Sequence, residues 1–173
     1  MSEKLQSIFA SGNQAAICLF EIEDKTARLV STWKSSPDDA DVISAAIQYG
    51  QDSRFIVNPD PKSEKSFLRP ILQRHDFEEI KVSKPIQPIE GRLIINELLR
   101  NTQLKVDEFE GWPRLQKLLN RADENPVSEA MAMFQGVVEA QKLTNRVESP
   151  FLCSFDEEDL RRRREHGRLY GVL

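Results

Sequence analysis

The apolar and polar positions along the chain alternate between two periods. Ala15 to Ile22 is a short apolar run ending in alternation, which predicts a strand buried on both faces at its start. Glu23-Asp24-Lys25-Thr26 is polar and turn-like, and Ala27 to Lys34 returns to strand character, so the pair predicts a hairpin with a loop of about four residues. Ser35-Ser36-Pro37-Asp38-Asp39 carries a cap residue, an early proline and first-turn acids, which start a helix. Val42, Ile43, Ala46 and Ile47 share its apolar face, and Gly50 closes it. Arg54 to Pro59 is β-rich and short, a third strand broken by Asn58-Pro59-Asp60-Pro61. A helix interrupted by Pro70 follows from about Ser63, and Glu79 to Val82 alternates as a fourth strand.

Beyond the loop Lys84 to Pro88, the period becomes mainly helical. Glu90 to Asn101 carries Ile94, Ile95, Leu98 and Leu99. Trp112 to Arg121 carries Leu115, Leu118 and Leu119. Val127 to Thr144 carries Ala130, Met133, Phe134, Val137 and Val138. Gln103 to Val106 is a short strand between the first two of these helices. The order β-β-α-β-α-β-α-β-α-α predicts an α/β domain, a mixed sheet flanked by helices, over residues 1–150. Residues 151–173 read as a charged helical tail, with Phe151, Leu152, Phe155 and Leu160 as its apolar side.

Composition narrows the function classes. The 173 residues hold 24 Lys and Arg against 28 Asp and Glu, a formal net charge of −4. Any contact with a phosphate backbone must therefore come from a local basic patch. Lys81, Lys84, Arg92 and Lys105 are candidates for such a patch, although charged residues on solvated faces are the ordinary case. Arg161 to Arg164 is the densest basic run, but the tail has five basic and five acidic residues, and pairs such as Glu157 with Arg161 suit a solvated helix. The tail is also a candidate contact for a protein partner or a second copy of the chain. No apolar run approaches the ~20 residues of a membrane span. Cys18 and Cys153 form no ligand motif, and the amino terminus lacks a signal-peptide layout. Both cysteines read as free thiols of a cytoplasmic protein. Neither His75 nor His166 has a second ligand at zinc spacing, and there is no Gly-rich phosphate loop, GxSxG or HExxH.

Several stretches resemble a known family. Ser11 to Leu19 is a turn followed by an apolar strand. Phe55-Ile56-Val57-Asn58-Pro59-Asp60 is a strand ending before an acid. Lys84 to Leu99 is a Lys-containing loop leading into an Ile/Leu-rich helix, and Val127 to Met133 opens a helix with an acid among small and apolar residues. Together, across residues 8–143, they resemble the ribonuclease H-like nuclease domain of phage large terminase subunits. The resemblance implies DNA as a partner, a DNA-packaging setting, and Mg²⁺ or Mn²⁺ held by clustered carboxylates. Such a cluster takes an acid on the first strand, one at the end of a middle strand and one on the last helix. It implies Asp60 for the second place and Glu129 for the third, as metal-binding and catalytic residues. Around Ser11, where the first place falls, there is no carboxylate. Asp60 is equally suited to a turn, and Glu129 to the positive end of a helix.

The expectation is thus a ribonuclease H-like domain that is non-catalytic or weakly active and works through nucleic-acid or protein contacts. Two alternatives stand beside it. One is a working Mg²⁺-dependent DNA endonuclease whose missing ligand is a residue such as Glu21 or Asp107. The other is an α/β interaction module unrelated to nucleases.

Overall fold

The computed structural model describes residues 2–11, 14–35, 53–58 and 79–146. Six strands form one mixed sheet: β1 (Glu3–Ser11), β2 (Gln14–Glu23), β3 (Thr26–Ser35), β4 (Arg54–Val57), β5 (Glu79–Val82) and β6 (Leu104–Lys105), in the order β5-β4-β1-β2-β3-β6. Three helices are described: α1 (Pro88–Arg100), α2 (Trp112–Asn120) and α3 (Ser128–Thr144). The α/β architecture and the mixed sheet agree with the pattern of the sequence. The helices expected at 37–50 and 63–78, Asp60, Cys153 and the tail lie outside the described residues.

The hydrophobic pattern did not announce β1. It is a central strand, antiparallel to β2 and parallel to β4. Its faces carry buried Gln6 and Ser7 among Leu5, Ile8 and Ala10, which disrupts both an apolar run and an alternation. Those polar groups make long-range bonds, Gln6 Nε2 donating to Ser53 Oγ at 3.1 Å and Ser7 Oγ to the Ala132 carbonyl at 2.5 Å. The β2–β3 hairpin is tighter than expected, because both strands run up to a two-residue turn in which Asp24 has φ 54°. A bulge after Leu19 then brings Phe20 opposite Leu29.

One face of the sheet packs against the helices through Leu5, Ala16, Cys18, Phe20, Ile22, Leu29 and Ile56. The other presents Ile8, Ile17, Phe55 and Val57, also buried. α3 crosses the first face from β3 to β5. Its Glu129 meets Lys34 of β3, Ser7 of β1 bonds its Ala132 carbonyl, and its Glu139 meets Lys81 of β5 at 2.9 Å. It is buried on most sides, since α1 and α2 cover its outer surface. Close approach demands glycine at two points. A Cβ on Gly136 would lie 2.6 Å from the Phe20 ring, and one on Gly91 of α1 would lie 2.1 Å from the Phe134 ring.

Candidate functional site

The strands β1, β3, β4 and β5 run in the same direction, so their carboxyl ends share one edge of the sheet. Ser35 ends β3 opposite Ala15, Ala15 pairs with Ala10 near the end of β1, and Val57 and Val82 end β4 and β5. Crevices outside the carboxyl ends of parallel strands are the usual ligand sites of open α/β sheets. The amino-terminal half of α3 lies over this edge and divides it into two pockets.

The smaller pocket, about 260 Å³, holds Glu129. The side chain is 5% exposed and chelates Arg114 of α2, with Arg114 Nη1 to Glu129 Oε1 at 3.1 Å and Nη2 to Oε2 at 2.6 Å. Lys34 Nζ approaches Oε1 at 3.5 Å. The bidentate bond raises the Arg114 guanidinium above its ordinary range, with partial burial opposing it. Beneath Glu129, the thiol of Cys18 points at the Glu129 carbonyl, 3.9 Å from Sγ to O. Burial, and secondarily the charge of Glu129, pushes this thiol far above its ordinary value. Cys18 is free, as expected for a mid-strand residue in an apolar run.

The larger cavity, about 610 Å³, lies on the β4 side and is lined by Phe9, Asn58, Lys84, Ile86, Met131 and Gln135, among others. Asn58 caps β4 onto β1: its Nδ2 donates to the Ala10 carbonyl at 2.9 Å, and its Oδ1 accepts from the Ala10 N–H at 3.2 Å. Gln135 bridges the same two strands, with Nε2 donating to the Ile8 carbonyl at 2.6 Å and the Ile56 carbonyl at 3.3 Å.

Glu129 and the described end of β4 thus open into different pockets. Asp60 itself falls outside the described residues. Glu21 pairs with Arg28 and lies opposite Lys4, at the far end of the sheet. Asp107 follows β6, which pairs with the start of β3 at that same far end. Of the four candidate basic residues, Lys84 and Lys81 are exposed toward the carboxyl edge. Lys81 pairs with Glu139, and Arg92 is buried against Asp123 at 2.5 Å and the Leu119 carbonyl at 3.2 Å. Lys105 is on β6. Among the described residues, no three His, Cys, Asp or Glu side chains group to hold a metal ion. Among the described residues a paired-metal site does not fit, since Glu129 is neutralised by two cations and the ends of β1 and β4 offer Phe9 and Asn58.

The sequence alone did not single out Arg114 or Lys34 as partners of Glu129, because three elements far apart in the chain supply them. Asn58 was legible only as a turn residue, and Gln135 only as a helix position. A buried amide mid-helix is a signal, but its strand partners appear only in three dimensions.

No protein-family model matches the sequence, and no curated protein sequence matches it. Solved structures do. The P22 large terminase nuclease domain superposes with a TM-score of 0.56 at 11% identity, covering 84% of this chain and 86% of that one. The fowlpox virus Holliday junction resolvase gives 0.56 at 13% identity, covering 81% and 99%. The large terminase of a thermophilic bacteriophage, in complex with ADP, gives 0.58 at 14% identity, covering 78% and 39%. The fold is ribonuclease H-like. The chain spans only 30% and 39% of two structures of that thermophilic phage terminase. At these identities the likeness establishes the fold alone. Within that ribonuclease H-like fold, the resemblance carried by the stretches between residues 8 and 143 is to the right structural class. No helix among the described residues is long and apolar enough to cross a membrane.

Proposed function

We propose that this ribonuclease H-like domain binds nucleic acid along the carboxyl edge of its sheet and cuts it weakly or not at all. The observation that carries the reading is the side-chain set on that edge. Phe9, Asn58, Met131 and Gln135 line the larger cavity, and Glu129 is held by Arg114 and Lys34. Lys34, Arg114 and Lys84 leave cationic groups on the same edge, which suits phosphates better than it suits a pair of divalent ions. Asp60 and Glu129 remain the acids through which Mg²⁺ or Mn²⁺ would bind, and such binding is expected to be weak. The fowlpox structure with Holliday junction DNA gives the same fold a DNA partner in that protein.

The test combines binding and cleavage. Fluorescence anisotropy with labelled DNA should show binding that weakens with salt, and Lys34→Ala or Lys84→Ala should each reduce the salt slope by about 1. Incubation with Mg²⁺ or Mn²⁺ should give little cleavage. Efficient Mg²⁺-dependent cutting, abolished by Asp60→Asn or Glu129→Gln, would install the working endonuclease instead. Absence of DNA binding at low salt would leave a protein-interaction module. In that case, deleting residues 154–173 should change self-association or partner capture while the domain stays folded.

A further inference from the structure

The two buried amides of the larger cavity have hydrogen-bonding capacity that no other described residue uses. Gln135 and Asn58 are each 3% exposed. Both partners of Gln135 are carbonyls, at 2.6 and 3.3 Å, so its nitrogen must face them. Its Oε1 then accepts no hydrogen bond among the described residues. Asn58 faces one N–H and one C=O of Ala10, which fixes its amide as well and leaves the second Nδ2 proton. An acceptor and a donor on two residues locked by the backbones of β1 and β4 therefore border a cavity whose walls include Phe9, Ile86 and Met131. Its volume, about 610 Å³, is within the range of small-molecule sites.

We infer that this cavity takes a single unstacked nucleobase, with exposed Lys84 at the rim meeting an adjacent phosphate. This rests on the nucleic-acid reading above and names the part of the ligand that enters. A base has a flat π face for the Phe9 ring and an edge carrying both donors and acceptors for Gln135 and Asn58. A purely aliphatic ligand would leave Gln135 Oε1 buried and unpaired, which is costly. An anionic ligand would face that oxygen's lone pairs, and the carboxylate of Asp123 in the same lining is already paired with Arg92.

The experiment compares two DNA strands that differ at one position, an unpaired base or an abasic site, titrated against the full chain by anisotropy. The strand with the base should bind about tenfold more tightly, the scale of one base–aromatic stack. Met131→Trp, which fills the cavity, should erase the difference between the two strands. Ile86→Trp narrows the same cavity from the extended segment before α1, and serves if the helix variant does not fold. Equal affinity of the unmodified protein for both strands would overturn the base site and leave the nucleic-acid reading standing. Failure to bind either strand would overturn both.

Discussion

Two residues of α3, Glu129 and Met131, lie less than one helical turn apart and open into pockets of opposite character. On the Glu129 side every strong group is answered: the carboxylate has a guanidinium and an ammonium, and the thiol below it is buried. On the Met131 side the walls are largely apolar, and two buried amides keep unused capacity. A satisfied cluster holds elements together and gains little from a ligand. An unsatisfied one gains from whatever completes it. The difference assigns structure and phosphate contacts to the first half of the edge and base recognition to the second.

Both halves depend on the seat of α3, so the largest effect is expected where that seat is tightest. Gly136→Ala places a methyl group 2.6 Å from a Phe20 ring atom and 3.0 Å from the Ser7 Cβ. The ring is fully buried, so relief requires moving the helix. Overpacking of this kind costs about 1–3 kcal/mol, of which better helix propensity returns up to ~1. Urea unfolding should show a lower midpoint, and the base-versus-abasic difference should shrink along with it. Loss of stability with that difference fully kept would mean that the two halves are seated independently.

Next comes the charged half alone. Glu129→Gln keeps the shape but loses the charge-assisted fork to Arg114. Arg114 is 54% exposed and can return to water, so no charge is stranded. The expected loss is about 1–2 kcal/mol, in the range of bonds to charged groups after allowing for solvent. The charged neighbours of Glu129 in the structure are cations, so removing its charge loses attraction. Lys34→Met should change stability little, because Lys34 is 69% exposed and its 3.5 Å pair is screened. A larger loss from Lys34→Met than from Glu129→Gln would remove Arg114 from its place as the main partner.

The same contrast explains what could be read from sequence. The hairpin, β4, β5 and the three described helices follow local periodicity, so Leu115 and Leu119 or Ile95 and Leu98 were visible as core positions and are fully buried. β1 was hidden because its buried Gln6 and Ser7 answer to Ser53 and Ala132, 47 and 125 residues away. Glu129 stood out as a first-turn acid. Its charge partners, and the four side chains of the neighbouring cavity, come from different elements and belong to tertiary geometry. Patterns with a short period are legible. A site assembled from elements far apart in the chain leaves no local trace.

The buried thiol gives a pH-dependent test of the charged half. The Cys18 pKa is raised from an ordinary 9.0, first by burial and then by Glu129. Below pH 9.0 both folded and unfolded chains keep the proton, so its contribution is complete. Above it the unfolded thiol ionises while the folded one does not, so stability falls as pH rises, by about 1.4 kcal/mol at about pH 10. Cys18→Ala should remove that part of the alkaline slope in unfolding curves measured between about pH 8 and 10. Glu129→Gln should leave the onset in place, because the unfolded pKa sets it. Loss of the alkaline slope in Glu129→Gln would show that the carboxylate, not burial, governs the thiol.

The smallest effect is expected away from both halves, which makes it a control. α1 ends with Thr102 N–H bonded to the Leu99 carbonyl at 3.2 Å and Gln103 N–H bonded to the Leu98 carbonyl at 2.8 Å. These paired bonds require a left-handed residue between them, and Thr102 has φ 55°. A β-branched side chain there is strained by roughly 1–2 kcal/mol, and Thr102 is exposed, so removing the side chain loses no packing. Thr102→Gly should relieve that strain against an unfolded-state entropy cost of about 0.5–1 kcal/mol. The net expectation is a gain of about 0.5–1 kcal/mol in urea unfolding, with DNA affinity and the base-versus-abasic ratio unchanged. A gain in stability that also altered the ratio would tie the turn into β6 to the cavity, and the division of the edge into a structural and a recognising half would then be too simple.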